Sequence, residues 1–414
     1  MTDRTRTVVV TGIGAVTPIG SGANGLYAGV RRESSAITAV TRFDPAPFNC
    51  RIAGEVRDFD PEAYIEPRRL RRLDRYSQFA VACARMAIDD AGLHLEDEDR
   101  DAIGCFVGSA LGGCAFAEEQ HGVFLSDGAR RIRPTLALSV FCGAASCNIA
   151  IDFDLRGPSS ANSDSCSSGA IAIGQAFRAV RDGYAEVMLA GGIEVPLTPL
   201  IFGAFDVIRA MSRRNDEPAR ACRPFDRARD GFVMAEGGAL LVLEDAGHAR
   251  RRGASIYGRV LGFGASNDAH HMTAPLPSGT QAARAMRLAL AEAGVAAEDV
   301  DHVNAHGSGT PLNDATETLA IKQVLGDRAY RVPVSATKAM HGHALGATGA
   351  MEAAICCLSL RHGYVPPTIN LEMPDDACDL DYVPGRGRDM PLRHILSNSF
   401  GFGGINAALV FGAA

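Results

Sequence analysis

Strand-like and helix-like runs alternate along nearly the whole chain, and that alternation confines the fold to the α/β class, with sheets and helices stacked in layers. Thr7 to Thr11 reads as a strand entering a Gly-rich turn, and Ser77 to Ala91 as a helix stopped by Gly92. Ala102 to Val107 reads as a strand, Ala170 to Arg181 as a helix, and Glu186 to Ala190 and Gly238 to Glu244 as strands. The pattern continues with a strand at Ile256 to Phe263, a helix at Thr280 to Ala293, a strand at Val300 to Asn304 and a helix at Ala350 to Arg361. It closes with strands at Ile395 to Ser399 and Ala407 to Phe411 around a Gly-rich turn.

The plan is also repeated. Asn162 to Gly183 runs strand, turn, helix and a charged exit, and Val334 to Tyr364 runs the same way. Two similar halves, 1–253 and 254–414, are expected to share one continuous core. A chain of 414 residues is long enough for that arrangement.

Composition excludes several classes. The formal net charge of −7 argues against a nucleic-acid binder. No apolar run approaches the ~18 residues of a membrane span, and Val8-Val9-Val10 is too short for a signal-peptide core. A cytoplasmic location is expected, where the eleven scattered Cys would stay reduced.

Among those Cys, Cys166 stands out in Asn162-Ser163-Asp164-Ser165-Cys166-Ser167-Ser168-Gly169. Small polar residues precede it and a helix follows. A thiol at a helix entrance meets free N–H groups and the positive end of the macrodipole, which favour the nucleophilic thiolate. A buried Cys in a tight turn is the plain alternative. Asp164 is unexpected beside such a sulfur.

His306 sits in Val303-Asn304-Ala305-His306-Gly307-Ser308-Gly309-Thr310, where a strand opens into a turn. Lys338 and His343 sit in a small-residue stretch, Ser335-Ala336-Thr337-Lys338-Ala339-Met340-His341-Gly342-His343. A Lys in that setting needs a partner, and Glu352 is the candidate. His302 with His306, or His341 with His343, lacks the ligand set of a metal site, so no metal is expected. Asn398 to Asn406, rich in Gly, could offer N–H groups to an anion or form a plain hairpin. Thr11-Gly12-Ile13-Gly14 imitates a dinucleotide fingerprint but lacks its third Gly and its acidic partner.

In order and content these segments resemble the β-ketoacyl-acyl-carrier-protein synthases, most closely synthase II of fatty-acid synthesis and the ketosynthases of type II polyketide systems. The motifs are Cys-Ser-Ser-Gly at 166–169, Asn-Ala-His-Gly-Ser-Gly-Thr at 304–310, Ser-Ala-Thr-Lys at 335–338 and Asn-Ser-Phe-Gly-Phe-Gly-Gly-Ile-Asn at 398–406. The resemblance implies a thiolase-like fold, a duplicated α-β-α-β-α architecture of five layers. It implies an acyl group carried on Cys166 and an oxyanion hole from the N–H groups of Cys166 and Phe402. His306 and His343 would promote malonyl decarboxylation, with Lys338, Glu352 and Asn406 in support and Phe402 as a gate. Thr273, Ser308 and Thr310 would line the pantetheine arm, and Leu111 and Leu136 the acyl pocket. Arg68, Arg69, Arg72, Arg130, Arg131 and Arg209 would dock an acidic acyl carrier protein.

A homodimer, or a heterodimer with a chain-length factor, is implied. No cofactor is implied beyond the phosphopantetheine that carries the substrates. The second reading is a catalytically silent, chain-length-determining partner subunit, against which the presence of Cys166 argues. Ser163-Asp164-Ser165, Gly309 and the 135–147 stretch depart from the usual pattern and leave chain length, pathway and partner open.

Overall fold

The computed structural model describes residues 6–414. Ten strands form its central scaffold. The first five are β1 (Val8–Thr17), β2 (Ile103–Gly108), β3 (Ser159–Asn162), β4 (Val187–Glu194) and β5 (Gly237–Asp245). The second five are β6 (Gly258–Asn267), β7 (His302–Asn304), β8 (Val334–Ser335), β9 (His394–Gly401) and β10 (Ile405–Gly412). Their spatial order is β3-β2-β4-β5-β1 in the first set and β8-β7-β9-β10-β6 in the second, so each set repeats the same topology. The directions repeat too. The outer pairs β2–β3, β2–β4, β7–β8 and β7–β9 are parallel, and the inner pairs β4–β5, β1–β5, β9–β10 and β6–β10 are antiparallel. The two sets join where Val8–Val10 pairs with Gly258–Val260.

Helices complete a five-layer stack. α1 (Arg75–Asp90) and α2 (Ala144–Phe153) cover one outer face. α3 (Ser168–Arg181) and α7 (Thr348–His362) touch each other between the two sets of strands. α5 (Thr280–Ala293) and α6 (Pro311–Leu325) cover the other outer face, and α4 (Pro199–Val207) lies near the site. This is the thiolase-like fold that the resemblance implied. Central α7 is buried on almost every residue, and α3 on most. Helices sandwiched between sheets must be apolar all round, which is why Cys356 and Cys357 serve as small core residues.

One local expectation fails. The strand does not stop at Thr11; β1 runs on through Gly12 and Gly14 to Thr17. The glycines are needed for close packing, not for a turn. A Cβ on Gly14 would lie 1.9 Å from the Cys83 carbonyl oxygen of α1, and one on Gly12 would lie 2.2 Å from that of Ala87. Replacing Gly14 by Ala should therefore push α1 off the sheet and cost ~1–3 kcal/mol. Urea unfolding would read this as a lower midpoint.

Candidate active site

The strand ends and helix starts of both halves converge on one cavity of ≈ 340 Å³, lined by Cys166, His306, His343, Phe402 and the hydroxyl residues Ser308, Thr310 and Thr273. Arg209 and Asn406 also line it.

Cys166 lies in the 3₁₀ turn Ser165–Ser167 that leads into α3 and is 8% exposed. The turn is sharp. Ser165 has φ +55°, a left-handed conformation that costs an L-residue energy and needs a scaffold to hold it. Ser167 supplies part of that scaffold, donating its hydroxyl to the carbonyls of Ser399 on β9 and Ile405 on β10. Ser168 donates back to the Ser165 carbonyl at 2.7 Å. The second half repeats the bend. Asp164 (φ −91°, ψ 41°) before Ser165 matches Ala344 (φ −84°, ψ 41°) before Leu345, whose φ is +39°. The second bend opens α7 as the first opens α3.

Burial changes the expected state of the sulfur. It pushes the Cys166 thiol up to about 11, while Ser165, the charge of Lys338 and the Phe402 N–H draw it back. Desolvation is the largest of these influences, and the sulfur rests as a thiol at neutral pH. Asp164 does not line the cavity and is not among the groups acting on the sulfur.

His306 and His343 meet edge to face, ring centroids 5.3 Å apart. Both are held well below the ordinary histidine range, by burial first and then by the positive charge of Lys338. They are neutral imidazoles at physiological pH. Nδ1 of His343 is 2.9 Å from the Thr348 hydroxyl, which leaves Nε2 for the cavity. Among the described residues, the ring nitrogens of His306 have no hydrogen-bond partner in the chain.

Lys338 and Glu352 lie behind the cavity rather than in its wall. The Lys338 ammonium is fully buried, 2.6 Å from a Glu352 carboxylate oxygen, and it also donates to the carbonyl of His306. Phe402 sits at the tip of the β9–β10 hairpin and stacks on Phe205, centroids 6.3 Å apart. Asn406 donates to Asp268 and to the Gly404 carbonyl, so it fixes the base of that tip. His302 and His341 are buried away from the site, bonded to Ser335 and Thr337.

Other expected residues lie elsewhere. Neither Leu111 nor Leu136 lines the cavity. Leu111 packs against the apolar cluster that includes Cys166, and Leu136 lies half-buried in the short helix Leu136–Ser139. Arg68, Arg72, Arg130 and Arg131 are exposed, and Arg133 donates to the Arg71 carbonyl, so the two basic stretches adjoin. Arg69 is spent within the chain, on Asp152 at 2.6 Å and on Asn148.

Three acids escaped the sequence reading. Glu317 accepts from the N–H groups of His306 and Gly307 and from Asn398. Asp314 accepts from the N–H groups of Phe225 and Gly309. Glu194 accepts from Ser109, Ala110, Leu111 and Gly346. The i, i+3 spacing of Asp314 and Glu317 at the start of a helix just after the His306 turn was the one available signal for that pair.

Residues 5–249 match the family described as Beta-ketoacyl synthase, N-terminal domain, and residues 257–372 match Beta-ketoacyl synthase, C-terminal domain. The chain belongs to the β-ketoacyl synthase family. It is 45% identical to the 3-oxoacyl-[acyl-carrier-protein] synthase 2 of Synechocystis sp. over 404 residues, 98% of this chain and 97% of that one. The corresponding synthase of Coxiella burnetii is 44% identical over 98% of each chain. Among solved structures, the ishigamide ketosynthase/chain length factor superposes with a TM-score of 0.93 at 37% identity, over 99% of each chain. A ketosynthase from a type II PKS, in complex with its acyl-carrier protein and bound to a hexaketide, gives 0.92 at 35%, over 99% of this chain and 100% of that one.

Two outcomes test the site's electrostatics. Because the thiol rests protonated, the rate of iodoacetamide alkylation at Cys166, mapped by peptide mass, should rise about tenfold per pH unit between pH 7 and 9. Lys338→Met should destabilise the protein by ~3–5 kcal/mol, since it strands the Glu352 carboxyl without its cation. The double variant Lys338→Met/Glu352→Met should recover much of that loss in chemical denaturation.

Proposed function

We propose that this protein is an elongating β-ketoacyl-acyl-carrier-protein synthase, an acyltransferase that joins a Cys166-bound acyl chain to malonyl carried on the same kind of protein. The reading is carried by one observation: a buried sulfur and two neutral imidazoles, from different halves of the chain, share a single cavity. The relatives named for that reaction support it.

In the first step the Cys166 sulfur attacks the acyl thioester carbonyl. The N–H groups of Cys166 and Phe402 receive the oxyanion. The carrier's thiolate leaves and takes up the proton that Cys166 gave up. In the second step malonyl thioester loses CO₂. The charge left behind spreads onto its thioester oxygen, where N–H donors from His306 and His343 stabilise it. The carbanion then attacks the acyl-Cys166 carbonyl, and the Cys166 sulfur departs. Covalent capture splits one hard condensation into two easier steps. Neutral imidazoles suit this work, because an N–H donor is wanted rather than a proton that would quench the carbanion. Lys338 sets the position of His306 through its carbonyl, and Glu352 holds Lys338. Ser308, Thr310 and Thr273 accept the pantetheine arm, and Phe402 gates the acyl side. In this reading Leu111, on the apolar cluster of Cys166, and Leu136, in the short helix Leu136–Ser139, would meet the acyl chain where it extends past the cavity.

The substrates arrive on phosphopantetheine, and no further cofactor is invoked. The solved neighbour that holds its carrier protein supports an acyl carrier protein as partner. Exposed Arg68, Arg72, Arg130, Arg131 and Arg209 suit an acidic one. Exposed Phe124, Leu125, Leu138 and Phe141 suit a second subunit, identical or a chain-length factor. We divide the chain into thiolase-like halves at 253/254, the first with the nucleophile and the second with both histidines and Lys338. The mirrored strand order supports that division. Among the described residues no helix is long and apolar enough to cross a membrane, in keeping with a cytoplasmic enzyme. A specialised polyketide or polyene pathway is favoured by the departures at 163–165 and 135–147.

Incubation with acyl carrier proteins bearing different chains should leave one acyl mass on Cys166, and Cys166→Ala should carry none. His306→Ala should still be acylated but release CO₂ from malonyl carrier at least ~100-fold more slowly. An unmodified Cys166 with every carrier offered would instead favour a silent partner subunit.

A further inference from the structure

Glu194 ends β4 at the heart of the molecule, with no exposed surface. Among the described residues no Lys, Arg or His pairs with it within 4.0 Å. Four donors from two distant segments hold it instead: the Ser109 hydroxyl at 3.0 Å, the N–H groups of Ala110 at 2.6 Å and Leu111 at 3.1 Å, and the N–H of Gly346 at 2.9 Å. The first segment carries Leu111. The second adjoins Leu345 and lies between His343 and Thr348. Leu345 belongs to the apolar cluster of Cys166, and Leu111 packs on that cluster. The two segments are already in close contact, for a Cβ on Gly346 would lie 2.3 Å from the Ala110 nitrogen. A carboxylate is the one side chain that accepts from all four at once.

We propose that Glu194 is a positioning residue for acyl transfer, a clamp that holds the 109–111 segment against Gly346 and so fixes the apolar wall beside the Cys166 sulfur. The proposal rests on the ketosynthase reading and adds a residue to it. The clamp is strongest when ionised. Burial pushes the Glu194 carboxyl up to about 7, against the pull of its four donors. Its charge also acts on the groups around it. It contributes to the raised state of Cys166, of Tyr76 on α1, and of Cys114 and Cys142.

Glu194→Gln keeps the size, removes the charge and turns an N–H₂ group toward an N–H donor. Two effects of opposite sign are expected at pH 8. Iodoacetamide should alkylate Cys166 about threefold faster, because a negative charge near the thiolate is gone. Acyl transfer from carrier to Cys166 should fall about tenfold in kcat/KM, because the wall has come loose. At pH 6, where wild-type Glu194 is largely protonated, the two proteins should alkylate at similar rates. A residue that only props up the fold would lower acyl transfer without speeding alkylation at pH 8. Ser109→Ala is the milder variant. It removes one of the four donors and leaves the carboxylate itself in place, and it should lower acyl transfer about threefold; it decides the matter should Glu194→Gln not fold. Wild-type acyl transfer in Ser109→Ala, or a wild-type alkylation rate at pH 8 in a folded Glu194→Gln, overturns the proposal. A wild-type protein that accepts no acyl group would sink the ketosynthase reading alone, since the alkylation comparison needs no carrier.

Discussion

The site depends on the buried ammonium of Lys338. It is fully enclosed, bonded to Glu352 on the central helix α7 and to the main-chain carbonyl of His306. Burial raises the Glu352 carboxyl and the Lys338 charge draws it back, so each ion makes the other tolerable. The same charge reaches His306, His343 and Cys166. Added to burial, it helps keep both rings from protonating, and it pulls against the desolvation that raises the thiol. One cation thereby sets geometry through a carbonyl and protonation through space.

Duplication explains how such a constellation can be assembled from distant sequence. Each half delivers a bend with positive φ, at Ser165 and at Leu345, followed by a central helix. In the first half the bend presents the Cys166 sulfur. In the second, the equivalent bend follows His343 and leads into the helix that bears Glu352. The halves differ in what they present and agree in how they present it. The acids Glu194, Asp314 and Glu317 finish the arrangement by accepting main-chain N–H groups, which leaves the loops around the cavity defined without side chains intruding on it.

Much of this was legible in the sequence. The helix expected at Thr280 to Ala293 is the helix observed, and its Gly294 takes the left-handed stop. The buried Lys338 needed an acid, and Glu352 is that acid. What was not legible follows from burial and from long-range contact. The run at Gly12 to Gly14 looks like a turn because glycine's role there, admitting α1, is decided by Cys83 and Ala87, far along the chain. The helix entrance at Cys166 argued for a thiolate, but the sequence does not disclose how deeply the sulfur is buried, and desolvation reverses the sign. Glu194 accepts from main-chain groups 83, 84 and 152 residues distant, a relationship that no local pattern encodes. Arg69 reads as one of a basic run until the fold sets Asp152 beside it.

The hairpin that ends in Phe402 has a divided character. Its two strands are pinned from below by a single hydroxyl, that of Ser167, which bonds the Ser399 and Ile405 carbonyls on opposite arms. Its tip is two glycines with φ of +80° and +74°, followed by Asn406 tied to Asp268. The main chain of Phe402 is thus anchored, while its ring stacks on Phe205. In the proposed reaction, an arriving hydrocarbon would shoulder the ring aside without dislodging the amide beside the sulfur. Admission and catalysis can therefore be adjusted separately within one amino acid, by changing what the ring leans on and leaving the backbone alone.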